Sequence, residues 1–293
     1  MMTTLWTDLR RRLGVVAGAL LALGLPGAAG AADCHKLDHD GQGYAVCTVT
    51  AEEEPRLGLW LYDGRGRPLN HFGSLRKHLG GQTLLFAMNA GMYHSDYGPV
   101  GLFRSGTEEH GAVVTGEGCG NFGLLPNGVF CTGGKTPFQV IESRRFSTSA
   151  PACRLATQSG PMLVIDGDLH PRFLIDSDSR YVRNGVGVSQ DGQTAWFAIS
   201  DRPVTFHEFG RLFRDGLQAR DALYFDGSIS RLYAPALGRS DFGWPLGPMI
   251  GLTAPAGCGP LVDGGRAARY RQRLSGQRGA RWLARRVATF RAG

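Results

Sequence analysis

Several common catalytic signatures are missing from this 293-residue chain: it has no G-x-S-x-G elbow, no G-x-x-x-x-G-K-[ST] loop and no H-E-x-x-H pair. Their absence argues against an α/β-hydrolase serine nucleophile, a P-loop nucleotide site and a zincin-type metal centre. No two of the six cysteines form C-x-x-C, which removes the usual pattern of a structural zinc site. There is no dense cluster of Asp and His either, so neither a metal nor a cofactor is expected. The apolar run Leu13–Leu25 stops short of the ~20 residues that span a bilayer. Acidic residues vanish after Asp263.

What is there begins with an export signal. Arg10, Arg11 and Arg12 precede the apolar run, and Pro26 and a small-residue stretch ending Ala31-Ala32 follow it. This is the order of a cleavable signal peptide, predicted over residues 1–32, with the mature chain starting near Ala32 or Asp33. An uncleaved anchor is disfavoured because Pro26 and the Ala/Gly run break the helix where a span would continue. The general secretory route fits the arginine context better than the twin-arginine route. A periplasmic or secreted protein is expected.

Charge is unevenly spread. Residues 1–32 carry +2 and residues 263–293 carry +8 of the net +7, so residues 33–262 stand at −3. The body is therefore mildly acidic, and nucleic-acid binding by it is not expected. The basicity sits in a tail, residues 255–293, in which 280–291 has the spacing of a basic amphipathic helix; a disordered appendage fits equally well. Weak membrane-surface contact through this tail is one expectation.

The cysteines all follow the predicted cleavage site, and an even number in an oxidising compartment reads as disulfides. Pairing Cys34 with Cys47 and Cys119 with Cys131 closes two short loops and leaves Cys153 with Cys258, one of ~15 connectivities.

Residues 33–254 read as one α+β domain, a strand-rich mixed sheet with a few helices and active-site loops at strand ends. Glycine is abundant, 44 residues, twice the usual share of about 7%, which implies tight turns and short strands. Apolar runs recur at 44–49, 57–62, 83–88, 138–141, 162–165, 186–188, 194–199 and 222–225. Asp166-Gly167 predicts a hairpin from 162–165 to 172–175. Helices are expected at Leu75–Leu79 and after Thr205, where Glu208 completes a capping box. His35 and His39 are read as exposed residues in a poorly ordered start.

Polar residues beside glycine gather where these strands end: Asn89-Ala90-Gly91-Met92-Tyr93, Pro126-Asn127-Gly128, Thr157-Gln158-Ser159-Gly160, Arg183-Asn184-Gly185 and Asp226-Gly227-Ser228-Ile229-Ser230. Loops at strand ends display binding groups, and glycine lets backbone N–H groups approach an anion. Taken singly, the Asn-Gly and Asp-Gly pairs are ordinary turn chemistry. One Arg, one Asp and several Asn and hydroxyl residues together suit a sugar bearing a phosphate.

In this order, with Asn121-Phe122 and the ending Gly247-Pro248-Met249-Ile250, these segments resemble the phosphodiester glycosidase family over roughly residues 43–253, most closely its bacterial exported branch. The resemblance implies hydrolysis of a sugar 1-phosphodiester in the cell envelope, on a sugar-phosphate or glycopolymer substrate. A non-catalytic periplasmic binding protein is the alternative, and a metal-assisted phosphodiesterase stands last. A phosphate is a good leaving group, so one carboxylate suffices, and Asp226 is chosen for it. Arg183 is expected to clamp the phosphate through its fork of donors, with Asp201 as the reserve acid. Asn89, Gly91, Tyr93, Asn127, Gln158, Ser159, Asn184, Gly227 and Ser228 are expected to line the substrate.

Overall fold

The computed structural model describes residues 32–118 and 120–255. The predicted signal peptide up to residue 31, Cys119, Cys258 and the basic tail from 256 lie outside the described residues. In chain order the elements begin β1 (Asp33–His39), β2 (Gln42–Thr50), β3 (Leu57–Trp60), α1 (Phe72–His78), β4 (Thr83–Asn89), β5 (Phe103–Ser105), β6 (Glu108–His110), β7 (Gly128–Thr132) and β8 (Phe138–Glu142). They continue with α2 (Ser143–Ser149), β9 (Leu155–Ser159), β10 (Met162–Ile165), β11 (Asp168–Leu169), β12 (Asn184–Val188), β13 (Thr194–Ser200) and α3 (Phe206–Arg211). The last strands are β14 (Asp221–Asp226), β15 (Leu232–Ala234), β16 (Arg239–Ser240) and β17 (Met249–Ala254).

Three sheets result, in the orders β1-β2-β13-β12-β14-β10-β11, β16-β15-β4-β17-β3 and β6-β5-β9-β7-β8. All named ladders among the described residues are antiparallel, a narrower arrangement than the mixed sheet expected. The fold class is α+β. The inner faces share one core in which Phe197 of β13 meets Phe86 of β4 at 5.4 Å and Phe130 of β7 at 5.7 Å between ring centres.

Each sheet also packs apolar residues away from this core, and each of these outer clusters includes helical residues. Phe209, with Leu212 and Phe213 of the turn after α3, lies against Val46, Ala198 and Tyr224. Phe72 and Leu75 of α1 lie against Leu84 and Met249, and Phe146 of α2 against Val129 and Ala156. Strands covered on both faces need no polar alternation, which is why so many read as unbroken apolar runs.

The capping box at α3 forms in both directions, Thr205 Oγ1 accepting from the Glu208 amide at 3.1 Å and Glu208 Oε2 from the Thr205 amide at 2.8 Å. Glu208 also takes Arg180, both carboxylate oxygens at 2.9 Å. Three expectations change. The hairpin at Asp166-Gly167 forms, but its return strand is Asp168–Leu169 and not 172–175, because Pro171 has no N–H to continue a ladder. The segment from Asp33, expected to be poorly ordered, is an ordered edge strand, β1, which leaves His35 exposed and His39 only half-buried.

The third change concerns the cysteines. Cys34 pairs with Cys47, directly opposite it across β1 and β2. Cys131 pairs with Cys153 rather than Cys119, which leaves Cys258 without the partner assigned to it. The cause is register: Thr132 faces Leu155 across β7 and β9, and the Arg154 amide donates to Thr132 O at 2.6 Å, which brings Cys153 beside Cys131. These bridges close loops with separations of 13 and 22 residues, each worth about 3 kcal/mol by loop entropy. Cys131→Ala with Cys153→Ala is expected to lower the melting temperature by several degrees; an unchanged transition would mean that this bridge adds nothing.

Candidate functional site

The antiparallel order brings one end of each sheet to a common place. Asn89 closes β4, Asn184 opens β12, Asp226 closes β14, and Asn127 and Ser159 stand where β7 begins and β9 ends. All five are buried. Side-chain hydrogen bonds sew the sheets together here. Asn89 Nδ2 donates to Asn184 Oδ1 at 3.0 Å, and Asn184 Nδ2 returns to Asn89 O at 2.8 Å. Ser159 Oγ donates to Phe225 O at 2.9 Å, and Thr157 Oγ1 to Ala90 O at 2.7 Å. Asn127 Nδ2 donates to Phe122 O at 3.1 Å, whereas its buried Oδ1 has no partner among the described residues.

Asp226 lies at the middle of this junction. It faces Asn184 across the ladder, and a register shift beside it marks a bulge, a device that re-aims side chains next to functional sites. Its Oδ1 accepts from the amides of Gly227 at 2.6 Å and Ser228 at 2.9 Å. Burial pushes its carboxyl above the usual range, and these amides, with that of Ile229, work against the rise. Gly227 has to be glycine, because a Cβ there would collide with the Tyr224 hydroxyl. Ser228 is exposed beside it.

Arg183 is wholly enclosed. Its Nε donates to Val204 O at 2.8 Å, Nη2 to Ser179 O at 3.0 Å and Nη1 to the Tyr224 hydroxyl at 3.3 Å. The guanidinium lies 3.7 Å from the Phe206 ring centre. Loss of water lowers its pKa. Wholly enclosed, and with three of its five N–H groups given to these oxygens, Arg183 presents no open fork to a phosphate, unlike the direct grip expected. Its charge reaches the Asp226 turn through Tyr224, whose phenol burial raises while Arg183 and Asp226 pull it in opposite directions.

A second buried arginine, Arg231, stands on another flank. Its amide donates to Asn89 Oδ1 at 2.9 Å, and its guanidinium to the carbonyls of Asp241 at 3.1 Å, Gly243 at 3.3 Å and Trp244 at 2.5 Å. Its Nε has no partner among the described residues. Tyr93 lies near both Arg231 and Asp226, and its phenol is pushed up to about 12 by burial and then by the Asp226 charge. The Tyr93 hydroxyl donates to Pro245 O at 2.6 Å. Neither Arg183 nor Arg231 makes an ion pair with a carboxylate among the described residues.

Two expected residues point elsewhere. Gln158 lies between Thr157 and Ser159 on β9, so alternation turns it away from them. It clamps a loop to the start of α2, donating to Val114 O at 2.6 Å and Ser143 Oγ at 2.7 Å and accepting from Val114 N at 2.9 Å. Asp201 takes Arg239 in an exposed ion pair at 2.9 Å and does not join the cluster. Gly91, at φ +155°, lets the chain pass 3.3 Å from Thr157 Oγ1 and Gln158 O as measured from a Cβ it does not have. Tyr224, Thr157, Ser230 and Arg231 belong to the junction but were not among the expected residues. The signal for Tyr224 is its place two residues before Asp226, on a strand where Leu223 and Phe225 face the inner core.

A family model described as phosphodiester glycosidase matches residues 82–253. An Escherichia coli K12 protein named uncharacterized protein YigE is 32% identical over 187 residues, 64% of this chain and 72% of the relative. The solved catalytic domain of zebrafish N-acetylglucosamine-1-phosphodiester alpha-N-acetylglucosaminidase, auto-inhibited by pro-peptide, shares the fold. Its TM-score is 0.51 at 13% identity, over 75% of this chain and 81% of that one.

Proposed function

Because the chain belongs to the phosphodiester glycosidase family, we propose that it is an exported hydrolase that breaks the sugar C–O bond of a sugar 1-phosphodiester, with Asp226 as its carboxylate. The observation that carries the reading is a buried carboxylate at the junction of three sheets, one oxygen held by two backbone amides, with the buried Arg183 linked to this turn through the Tyr224 hydroxyl. A carboxylate fixed by backbone amides is positioned to act as a base, and a phosphodiester supplies a leaving group that needs no second acid.

In this mechanism the Gly227 and Ser228 amides hold Oδ1, and Oδ2 faces the substrate. Oδ2 takes a proton from water as the water oxygen attacks the anomeric carbon. The C–O bond breaks, and its electron pair leaves on the phosphate oxygen. A phosphate monoester with a second pKa near ~6 needs no proton to depart at neutral pH, so no second carboxylate is required. The Tyr224 hydroxyl, set by Arg183, donates toward the leaving oxygen. Asn89, Asn184 and Ser159 act as positioning residues that lock the strand ends, while Asn127 Oδ1 is free to accept from a sugar hydroxyl.

The two disulfides suit an oxidising compartment, where an envelope sugar-phosphate or glycopolymer would be met. Residues 33–254 would form the catalytic unit and 255–293 a basic appendage. The test is turnover of a chromogenic sugar 1-phosphodiester in oxygen-18 water, read by mass spectrometry. The label is expected at C1 of the released sugar. Label in the phosphate would make the protein a P–O phosphodiesterase, and tight binding without turnover would make it a binding protein.

A further inference from the structure

The segment from Asp241 to Pro245 is held more firmly than an exposed loop requires. Three of its carbonyls, from Asp241, Gly243 and Trp244, turn inward onto the buried Arg231 guanidinium. Pro245 O accepts the Tyr93 hydroxyl, and Asp241 Oδ2 accepts the Leu232 amide at 2.8 Å. With its carbonyls anchored inward, the loop presents two aromatic rings to water: Phe242 is 94% exposed and Trp244 77%. Large aromatics left in solvent on a rigid backbone, beside a polar site, mark an interaction surface.

The anchors tie this loop to the junction. Arg231 is bonded to Asn89, and Tyr93 lies within the field of Asp226. Another exposed ring, Tyr181 at 50%, borders Gly227, whose missing Cβ would lie 3.4 Å from that of Tyr181. Arg231 Nε, buried and without a partner among the described residues, is a donor in the same wall.

We infer that Phe242 and Trp244 form a sugar-stacking platform that binds glycan units extending from the bond held at Asp226, so that the substrate is an oligomeric or polymeric glycan and not a lone sugar phosphate. The inference rests on the hydrolase reading of Asp226. A pyranose ring offers a face of C–H groups, and the negative face of an aromatic ring attracts them while both lose water. Fixing the loop beforehand removes the cost of ordering its backbone on binding. A membrane surface, the other partner of exposed aromatics, would be met by basic residues in the loop, and between 241 and 247 there are none.

The test is calorimetric titration of the full chain carrying Asp226→Asn, which removes turnover, with linear hexasaccharides of α-glucan, β-glucan and β-N-acetylglucosamine type, and with anionic phosphatidylglycerol vesicles. At least one hexasaccharide is expected to bind, and Phe242→Ala with Trp244→Ala to weaken that binding at least tenfold. Trp244→Phe should restore most of it, since the ring face is kept. Melting temperature should stay within ~2 °C, because both rings are exposed. The inference is overturned if none of the three hexasaccharides binds, if the double variant binds equally well, or if the aromatic pair matters only for vesicles. Absence of turnover in the wild-type protein with glycan binding intact would count against the hydrolase reading and leave the platform standing.

Discussion

Asp226→Asn is expected to lower kcat on a sugar 1-phosphodiester by about 10³-fold, the middle of the range for losing a positioned base, while raising thermal stability at pH 7. The amide keeps the shape and its oxygen still accepts from the Gly227 and Ser228 amides, but it cannot take a proton. The stability gain follows from burial. The folded carboxyl titrates above its usual range, so between the unfolded and folded pKa values the native state holds a proton that the unfolded chain has released. Stability therefore falls as pH rises through that interval, and above it the wild-type protein carries the full cost of a buried charge. The variant carries no such cost, so its advantage at pH 7 should shrink toward pH 4, as the wild-type carboxyl protonates. Wild-type activity should fall on the acid side at a pH above that of an ordinary aspartate. Thermal scans across pH beside the kinetics check both halves. Activity within tenfold of wild type in folded protein would remove Asp226 from the mechanism, and a melting temperature lowered at pH 7 would contradict the burial argument.

The second large effect belongs to Arg183. A lysine ammonium is a point charge and cannot serve Val204 O, Ser179 O and the Tyr224 hydroxyl at once, and it has no flat face for Phe206. Each buried acceptor left without a donor costs about 1–3 kcal/mol. Arg183→Lys is thus expected to destabilise the fold by roughly 2–4 kcal/mol and to reduce kcat about as much as Arg183→Ala does. Because the fold itself suffers, Tyr224→Phe is the cleaner companion: it keeps the ring and removes only the hydroxyl that Arg183 sets. It should lower kcat at least tenfold with KM little changed, the pattern of a contact made only in the transition state, and lower the melting temperature less than Arg183→Lys does, because one hydrogen bond is lost instead of several. Wild-type kcat in Tyr224→Phe would break the proposed route from Arg183 to the leaving group. Full activity in Arg183→Lys would mean that only its charge matters.

Much of the architecture was legible because it is written locally. Period-2 and unbroken apolar runs locate β2, β4, β10, β12, β13 and β14, and the capping box at Thr205 and Glu208 forms as read. Turn chemistry at Asp166-Gly167 made a hairpin, but the length of the return strand depended on where the chain next met a partner. β1 was missed because its residues, Asp33–His39, are polar and half exposed. An edge strand paired on one side through Cys34 and Cys47 leaves no apolar pattern to detect.

The sequence by itself determined which segments become strand-end loops, and with them the family and the presence of one Asp, one Arg and several Asn residues among glycines. Those are properties of residues and their neighbours in the chain. Only the tertiary structure decided the rest. It brought Asn89 of one sheet against Asn184 and Asp226 of another in one hydrogen-bonded junction. It turned Gln158 and Asp201 away, enclosed Arg183 behind Tyr224, and paired Cys131 with Cys153. The reason is that side-chain direction and enclosure are set by register between strands 23 to 171 residues apart, and no local propensity encodes that pairing.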